Sequence, residues 1–206
     1  MLYGLTGSSG TGKTTLGKAV AESLGIEFRP TSITECARRH GFNAVGVLPL
    51  TDRLALQNHL LEDHIEMLAE APRPLIVDRT PIDFIGYLMA EFDMHSHMRA
   101  SPEELVAADD YVQRCLTATL RYYDHVFILG QLDFYEEAAT RPADNRAYQT
   151  HSQLIMEGAL FKLSGRVSYS AIYKNDFEAR ETFVHDTIVA RLDEIEKERR
   201  SAAHIN

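Results

Sequence analysis

The chain has 206 residues, 45% of them hydrophobic and 25% charged, which excludes a disordered or fibrous polymer and suits one globular domain. Lys and Arg number 21 against 30 Asp and Glu, a formal charge of −9. That balance counts against a broad surface for duplex nucleic acid, which needs clustered positive charge, but not against a small basic pocket. The two cysteines, Cys36 and Cys115, are too few for a disulfide framework and have no metal-ligand spacing along the chain. A reduced, cytoplasmic setting is the expectation. No run approaches the roughly 18 apolar residues of a membrane span, and the N-terminus lacks the pattern of a signal peptide.

Short apolar runs alternate with longer helical patterns along the whole sequence. The first strand is expected at Leu2 to Thr6, followed by a glycine-rich segment and a helix through Leu16 to Leu24. A second strand is expected at Ile26 to Arg29. From Thr51 to Ala71, Leu54, Leu61, Ile65 and Leu68 fall on one helical face. Leu75 to Asp78 reads as a buried strand, with Thr80 as N-cap, Pro81 as first helical residue and Asp83 at the capping-box position of the next helix. Ser101 and Pro102 open another helix reaching Tyr122, and strands follow at His125 to Leu129 and Val167 to Tyr173. The last helix runs from about Phe177 into Ile195 and a charged tail. Between Gly130 and Thr150 the pattern is least regular. This alternation predicts an α/β fold with a five-stranded parallel sheet between helical layers, formed by residues 1–206 as one domain.

Gly7-Ser8-Ser9-Gly10-Thr11-Gly12-Lys13-Thr14-Thr15 matches G-x-x-x-x-G-K-[ST] at every required position, after a strand and before a helix. Glycines let the backbone wrap with its N–H groups inward, forming an anion nest at a helix N-terminus. Lys13 is expected on the β- and γ-phosphates of ATP and the Thr14 hydroxyl on Mg²⁺. A bland strand-to-helix turn has no need for Lys and Thr after its last glycine. Lys13, taken as an exposed loop residue, is expected to matter little for stability.

Asp78 ends the strand Leu75 to Asp78, the place where open α/β sheets bind ligands. It is expected beside Thr14, either holding Mg²⁺ through water or accepting a proton from an attacking hydroxyl. Arg79 follows, with a guanidinium able to fork onto phosphate or carboxylate. Arg38 and Arg39 are candidates for an acceptor phosphate, Phe42 for stacking on a base, and Gln57, which interrupts an apolar helix face, for reading an amide edge. Exposed arginines and a hydrogen-bonded core glutamine are the structural alternatives. His95 and His97 receive no role, and His59 and His64, five apart, do not share a helix face well.

The acid–arginine pair after this strand resembles that of thymidylate and deoxynucleoside kinases. The longer string Asp78-Arg79-Thr80-Pro81-Ile82-Asp83-Phe84 is similar to the AAA-like bacterial and phage P-loop group that includes nicotinamide-riboside kinase. The resemblance implies a P-loop NTPase fold and an arginine-bearing lid at about 131–149, with Arg141 and Arg146 reaching the transferred phosphate. It implies transfer of the γ-phosphate of ATP to a nucleoside or nucleotide, with Lys13, Asp78, Arg79, Arg141 and Arg146 as catalytic residues. Two readings remain beside it: a kinase acting on a hydroxymethylated pyrimidine within DNA, and a P-loop ATPase switch without a small-molecule acceptor. A homodimer is compatible with all three.

Overall fold

The computed structural model describes residues 1–43, 48–94, 100–134 and 145–203. Five strands, β1 (Leu2–Thr6), β2 (Glu27–Pro30), β3 (Leu75–Asp78), β4 (His125–Leu129) and β5 (Ser168–Ile172), form one parallel sheet in the order β2-β3-β1-β4-β5. The three central strands are buried at every position, whereas the edges β2 and β5 are partly exposed. This is why the central strands read as continuous apolar runs: a parallel sheet covered on both faces has no solvated side.

The helices are α1 (Lys13–Leu24), α2 (Ile33–Arg39), α3 (Leu50–Glu70), α4 (Pro81–Met94), α5 (Pro102–Tyr122), α6 (Arg146–Lys162) and α7 (Phe177–Ala203). Successive strand side chains point to opposite faces. Leu2, Leu75, Val77, Val126 and Ile128 therefore join the larger core with α3, α4, α5 and α6. Tyr3, Leu5, Ile76, Phe127 and Leu129 join the smaller core with α1 and α7. A third cluster, Cys36, Ala37, Leu56 and Leu60, sits between α2 and α3. Gly4 is required where β1 passes under the chain after β3, since a Cβ there would lie 2.4 Å from Thr80 Cγ2 and 2.6 Å from Tyr123 Cε1.

The helix ends follow their local chemistry. Ser101 accepts from the Glu104 amide (3.2 Å) and Glu104 accepts from the Ser101 amide (2.7 Å), a complete capping box ahead of Pro102. One helix was not anticipated and one boundary is corrected. The stretch Ser32 to Phe42 contains α2, whose N-cap Ser32 accepts from the Glu35 amide at 3.2 Å. The segment expected to be irregular as far as Thr150 becomes helical at Arg146, where Asn145 caps α6 by accepting from the Tyr148 amide at 3.0 Å. Among the described residues, no helix is long and apolar enough to cross a membrane.

Candidate active site

The phosphate-binding loop joins the central strand β1 to α1. Gly7, Gly10 and Gly12 all have positive φ (145, 82 and 81°), a region that L side chains rarely adopt. A Cβ on Gly7 would lie 2.6 Å from the Leu129 carbonyl oxygen. Gly12 is the N-cap of α1 and supplies no side-chain cap, and the first turn has no acidic residue, which leaves the positive end of the helix directed at the loop.

Strand parity brings the carboxylates to this loop. Asp78 lies on the same sheet face as Ile76, the α1 side, and its backbone is in register with Leu5. Its Oδ2 accepts a short hydrogen bond from the Thr14 hydroxyl. Its Oδ1 is buried without a hydrogen-bond partner, an arrangement that fits a hard cation held by oxygen. Thr6, on the opposite face, donates to Asp83 Oδ2 at 2.5 Å.

Asp83 has a larger structural role than its helix cap implied. It is fully buried and also accepts from the Thr80 amide (2.8 Å), the Thr80 hydroxyl (3.2 Å) and the Gly7 amide (3.3 Å). Burial pushes its carboxyl pKa up, while Lys13 and Arg79 pull it down. Lys13 is correspondingly not an exposed loop residue: it is 6% exposed. Its ammonium donates to the carbonyls of Gly7 (2.6 Å) and Ser8 (2.9 Å) and to Thr11 Oγ1 (3.4 Å), 3.7 Å from Asp83 Oδ1.

Arg79 has φ of 78°, unusual for a residue with a Cβ. Such backbone strain, of order 1–3 kcal/mol, persists only where surroundings enforce it. Here the Arg79 amide donates to the Leu5 carbonyl at 2.9 Å. Its guanidinium lies 5.5 Å over the Tyr87 ring and donates to the Tyr87 hydroxyl at 3.1 Å. Tyr87 in turn stacks on Tyr148 at 6.4 Å. Burial pushes the Tyr148 phenol pKa up, aided by Glu91, while Arg53 and Arg79 oppose the rise. Arg53 pairs with Glu91 at 2.5 Å. Arg53, Arg79, Tyr87, Glu91 and Tyr148 thus form a polar wall assembled from α3, α4, α6 and the end of β3.

A cavity of about 300 Å³ runs along loop residues 9–16 and is bounded by Asp78, Arg79, Leu132, Phe134, Asn175, Phe177 and Arg180. Phe134 and Phe177 are exposed on its rim. Arg180 was not singled out by sequence. It is 3% exposed and donates to the Thr11 (2.8 Å), Gly130 (3.0 Å) and Lys174 carbonyls. Gln153 was also missed; its Oε1 accepts from the Ser8 amide at 2.9 Å.

The remaining expected residues lie elsewhere. Arg38 is exposed, and Arg39 pairs with Asp63 at 2.7 Å. Phe42 packs on the α2–α3 cluster. Gln57 is buried and accepts from the Tyr111 hydroxyl at 3.0 Å. None of these four lines the loop cavity. Arg146 donates to the Leu132 (2.9 Å) and Asp133 (3.2 Å) carbonyls, holding the chain beside the cavity. Arg141 and residues 135–144 of the expected lid lie outside the described residues.

A family model described as an AAA domain, AAA_28, matches residues 3–180. The chain belongs to the AAA_28 family. No curated protein matches it in sequence. Among solved structures, the AAA_28 chain is similar to deoxyadenosine kinase from M. mycoides with bound dCTP (TM-score 0.68, 13% identity, 92% of this chain and 100% of that one). It is also similar to thymidylate kinase from Candida albicans (TM-score 0.62, 13% identity, 92% and 91% coverage). The NadR protein in complex with NR matches at TM-score 0.62 and 16% identity, over 91% of this chain and 50% of that one. The AAA_28 chain therefore has the P-loop fold that these proteins share.

Proposed function

We propose that this AAA_28 protein transfers the γ-phosphate of ATP to a hydroxyl of a nucleoside or nucleotide acceptor. The observation that carries the reading is Asp78 Oδ1: a buried carboxylate oxygen without a hydrogen-bond partner, at the end of β3 beside the glycine-rich loop, on a residue tied to Thr14 and followed by Arg79. The kinases named above share this fold and support the same reading.

The loop and Lys13 hold the ATP phosphates, with Phe134 and Phe177 offering apolar rims for the adenine. Thr14 and Asp78 are the residues to hold Mg²⁺, which when bound offsets charge on the phosphate oxygens. The acceptor oxygen forms a bond to the γ-phosphorus while the bond from that phosphorus to the β–γ bridging oxygen breaks. ADP leaves with the bridging oxygen, and Asp78 takes the acceptor's hydroxyl proton. Arg79 offers its fixed positive charge to the phosphoryl oxygens, where charge collects.

A nucleoside acceptor fits better than a monophosphate. Of the three arginines expected around a second phosphate, Arg79 lines the cavity, whereas Arg39 is paired with Asp63 and Arg38 does not line it. The test incubates γ-labelled ATP with nucleosides, nucleoside monophosphates and DNA containing hydroxymethylated pyrimidine. Label transfer and acceptor-dependent ADP release are expected with a nucleoside. Equal ATP turnover with and without every acceptor would replace the kinase reading by an ATPase switch.

A further inference from the structure

A second cluster of chemistry-bearing side chains lies on α2 and α3. His40 caps the C-terminus of α2, and its amide donates to the Cys36 carbonyl at 3.1 Å. Cys36 and His40, four residues apart, therefore share one face of the helix. On α3, His59 and Asp63 are likewise four residues apart. The two faces meet. A Cys36 sulfur, a His40 ring nitrogen and an Asp63 oxygen all lie within 4.8 Å of one another. His40 Nε2 is 3.6 Å from Asp63 Oδ2, and the His59 ring stacks on His40 with centroids 3.8 Å apart and planes 7° from parallel. Among the described residues, no other group of three such ligand types comes this close.

We propose that Cys36, His40 and Asp63 form a binding site for a zinc-class divalent cation. The donor set of one sulfur, one imidazole nitrogen and one carboxylate oxygen matches zinc better than magnesium or calcium, which favour oxygen alone. Cys36 is 3% exposed, whereas the His40 and Asp63 side chains are 30% and 25% exposed. The cluster thus has an apolar floor and a wet entrance. Three protein ligands leave a fourth position for water, or for His59 after it turns away from its stack.

A metal binds the thiolate and not the thiol, so binding replaces the Cys36 thiol proton with the metal–sulfur bond, and that proton goes to solvent. Arg39 competes, since its Nη2 lies 2.7 Å from Asp63 Oδ2. At 54% exposure, this arginine forms a surface ion pair of small worth. A carboxylate also retains lone pairs beyond the one that Arg39 occupies.

This site is independent of the phosphate loop, so its test uses metal binding rather than turnover. The full chain is freed of metal with chelator and titrated with Zn²⁺, and separately with Co²⁺ as a spectroscopic probe. Saturable binding of one ion per chain, proton release and a thiolate-to-cobalt charge-transfer band are expected, together with a rise in melting temperature. Cys36→Ser abolishes the band, while Cys115→Ser retains it. His40→Ala, a change at a partly exposed helix end that leaves the core intact, weakens Zn²⁺ binding about tenfold or more. Arg39→Ala tightens it by freeing Asp63. Absence of saturable binding to the folded wild-type chain overturns the site, as does binding that persists unchanged in the Cys36→Ser and His40→Ala variants.

Discussion

The two sides of the cleft are built in opposite ways. On the phosphate side, nine consecutive residues, Gly7 to Thr15, supply the turn, the lysine and the hydroxyl, and positive φ at three glycines sets the backbone. Behind Arg79, which lines the other side, Arg53, Tyr87, Glu91 and Tyr148 come from three helices and meet it through a stack, a hydrogen bond and one ion pair. The first side is a local backbone shape; the second is a product of how α3, α4 and α6 pack. A site of the first kind tolerates divergence around it, whereas one of the second kind changes whenever a helix shifts. In this chain the glycine-rich loop is therefore set by local sequence, and the polar wall depends on how three helices pack.

Four experiments separate the two halves. Lys13→Ala should have the largest effect, lowering kcat/KM for ATP by about 10²–10³ as expected for losing a charge-stabilising donor. Because Lys13 is buried against Asp83, a thermal melt should also show destabilisation. Asp78→Asn should lower kcat about 10²-fold while the ATP KM stays within about threefold, the pattern of a group acting in the transition state. Steady-state kinetics varying each substrate in turn checks this, and a proportionate rise in ATP KM would place Asp78 on the binding side instead. Arg79→Lys keeps the charge but loses the planar fork over Tyr87. It should lower kcat about tenfold and leave ATP KM unchanged; an equal rise in ATP KM would break the division of labour.

The smallest effect tests whether the two hydrophobic cores on either face of the sheet unfold together. His64 packs in the larger core, bonded to Tyr123 at 2.7 Å, and His125 touches the smaller core through Phe127. Burial lowers each imidazole pKa from 6.5 to about 4. The unfolded chain then binds more protons between those values, so stability is present above about pH 6.5 and lost as pH falls towards 4. Each should contribute a loss of about 1 kcal/mol by about pH 5.5. Melts followed by far-ultraviolet signal and by tyrosine fluorescence should shift together. Replacing His125 with Gln should remove about half the shift.

The same contrast explains what could be read from the sequence. The bounds of β1, β3 and β4 were legible to the residue, because a strand buried on both faces has an apolar interior and its polar residues, Thr6, Asp78 and His125, stand at the ends. The pairing of Asp78 with Thr14 was legible too, since both motifs end adjacent strands of one sheet. The helix α2 escaped although Ser32 and Glu35 stand at capping-box spacing; a seven-residue helix carries too few turns for periodicity to speak. Glu91 left one usable trace, a carboxylate four residues after Tyr87 that follows the apolar run 84–90 of α4. Arg180 left none, because its partners are main-chain carbonyls that no side-chain pattern encodes.

Arg180 also bears on how the protein is made. Its hydrogen bond to Thr11 spans 169 residues, and β1 needs β3 and β4, both later in the chain, as neighbours. The glycine-rich loop is therefore synthesised well before the arginine that braces it. A nascent chain halted before residue 180 would carry the complete motif without its clasp, and affinity for nucleotide should appear late, close to the moment when α7 can fold back onto the sheet.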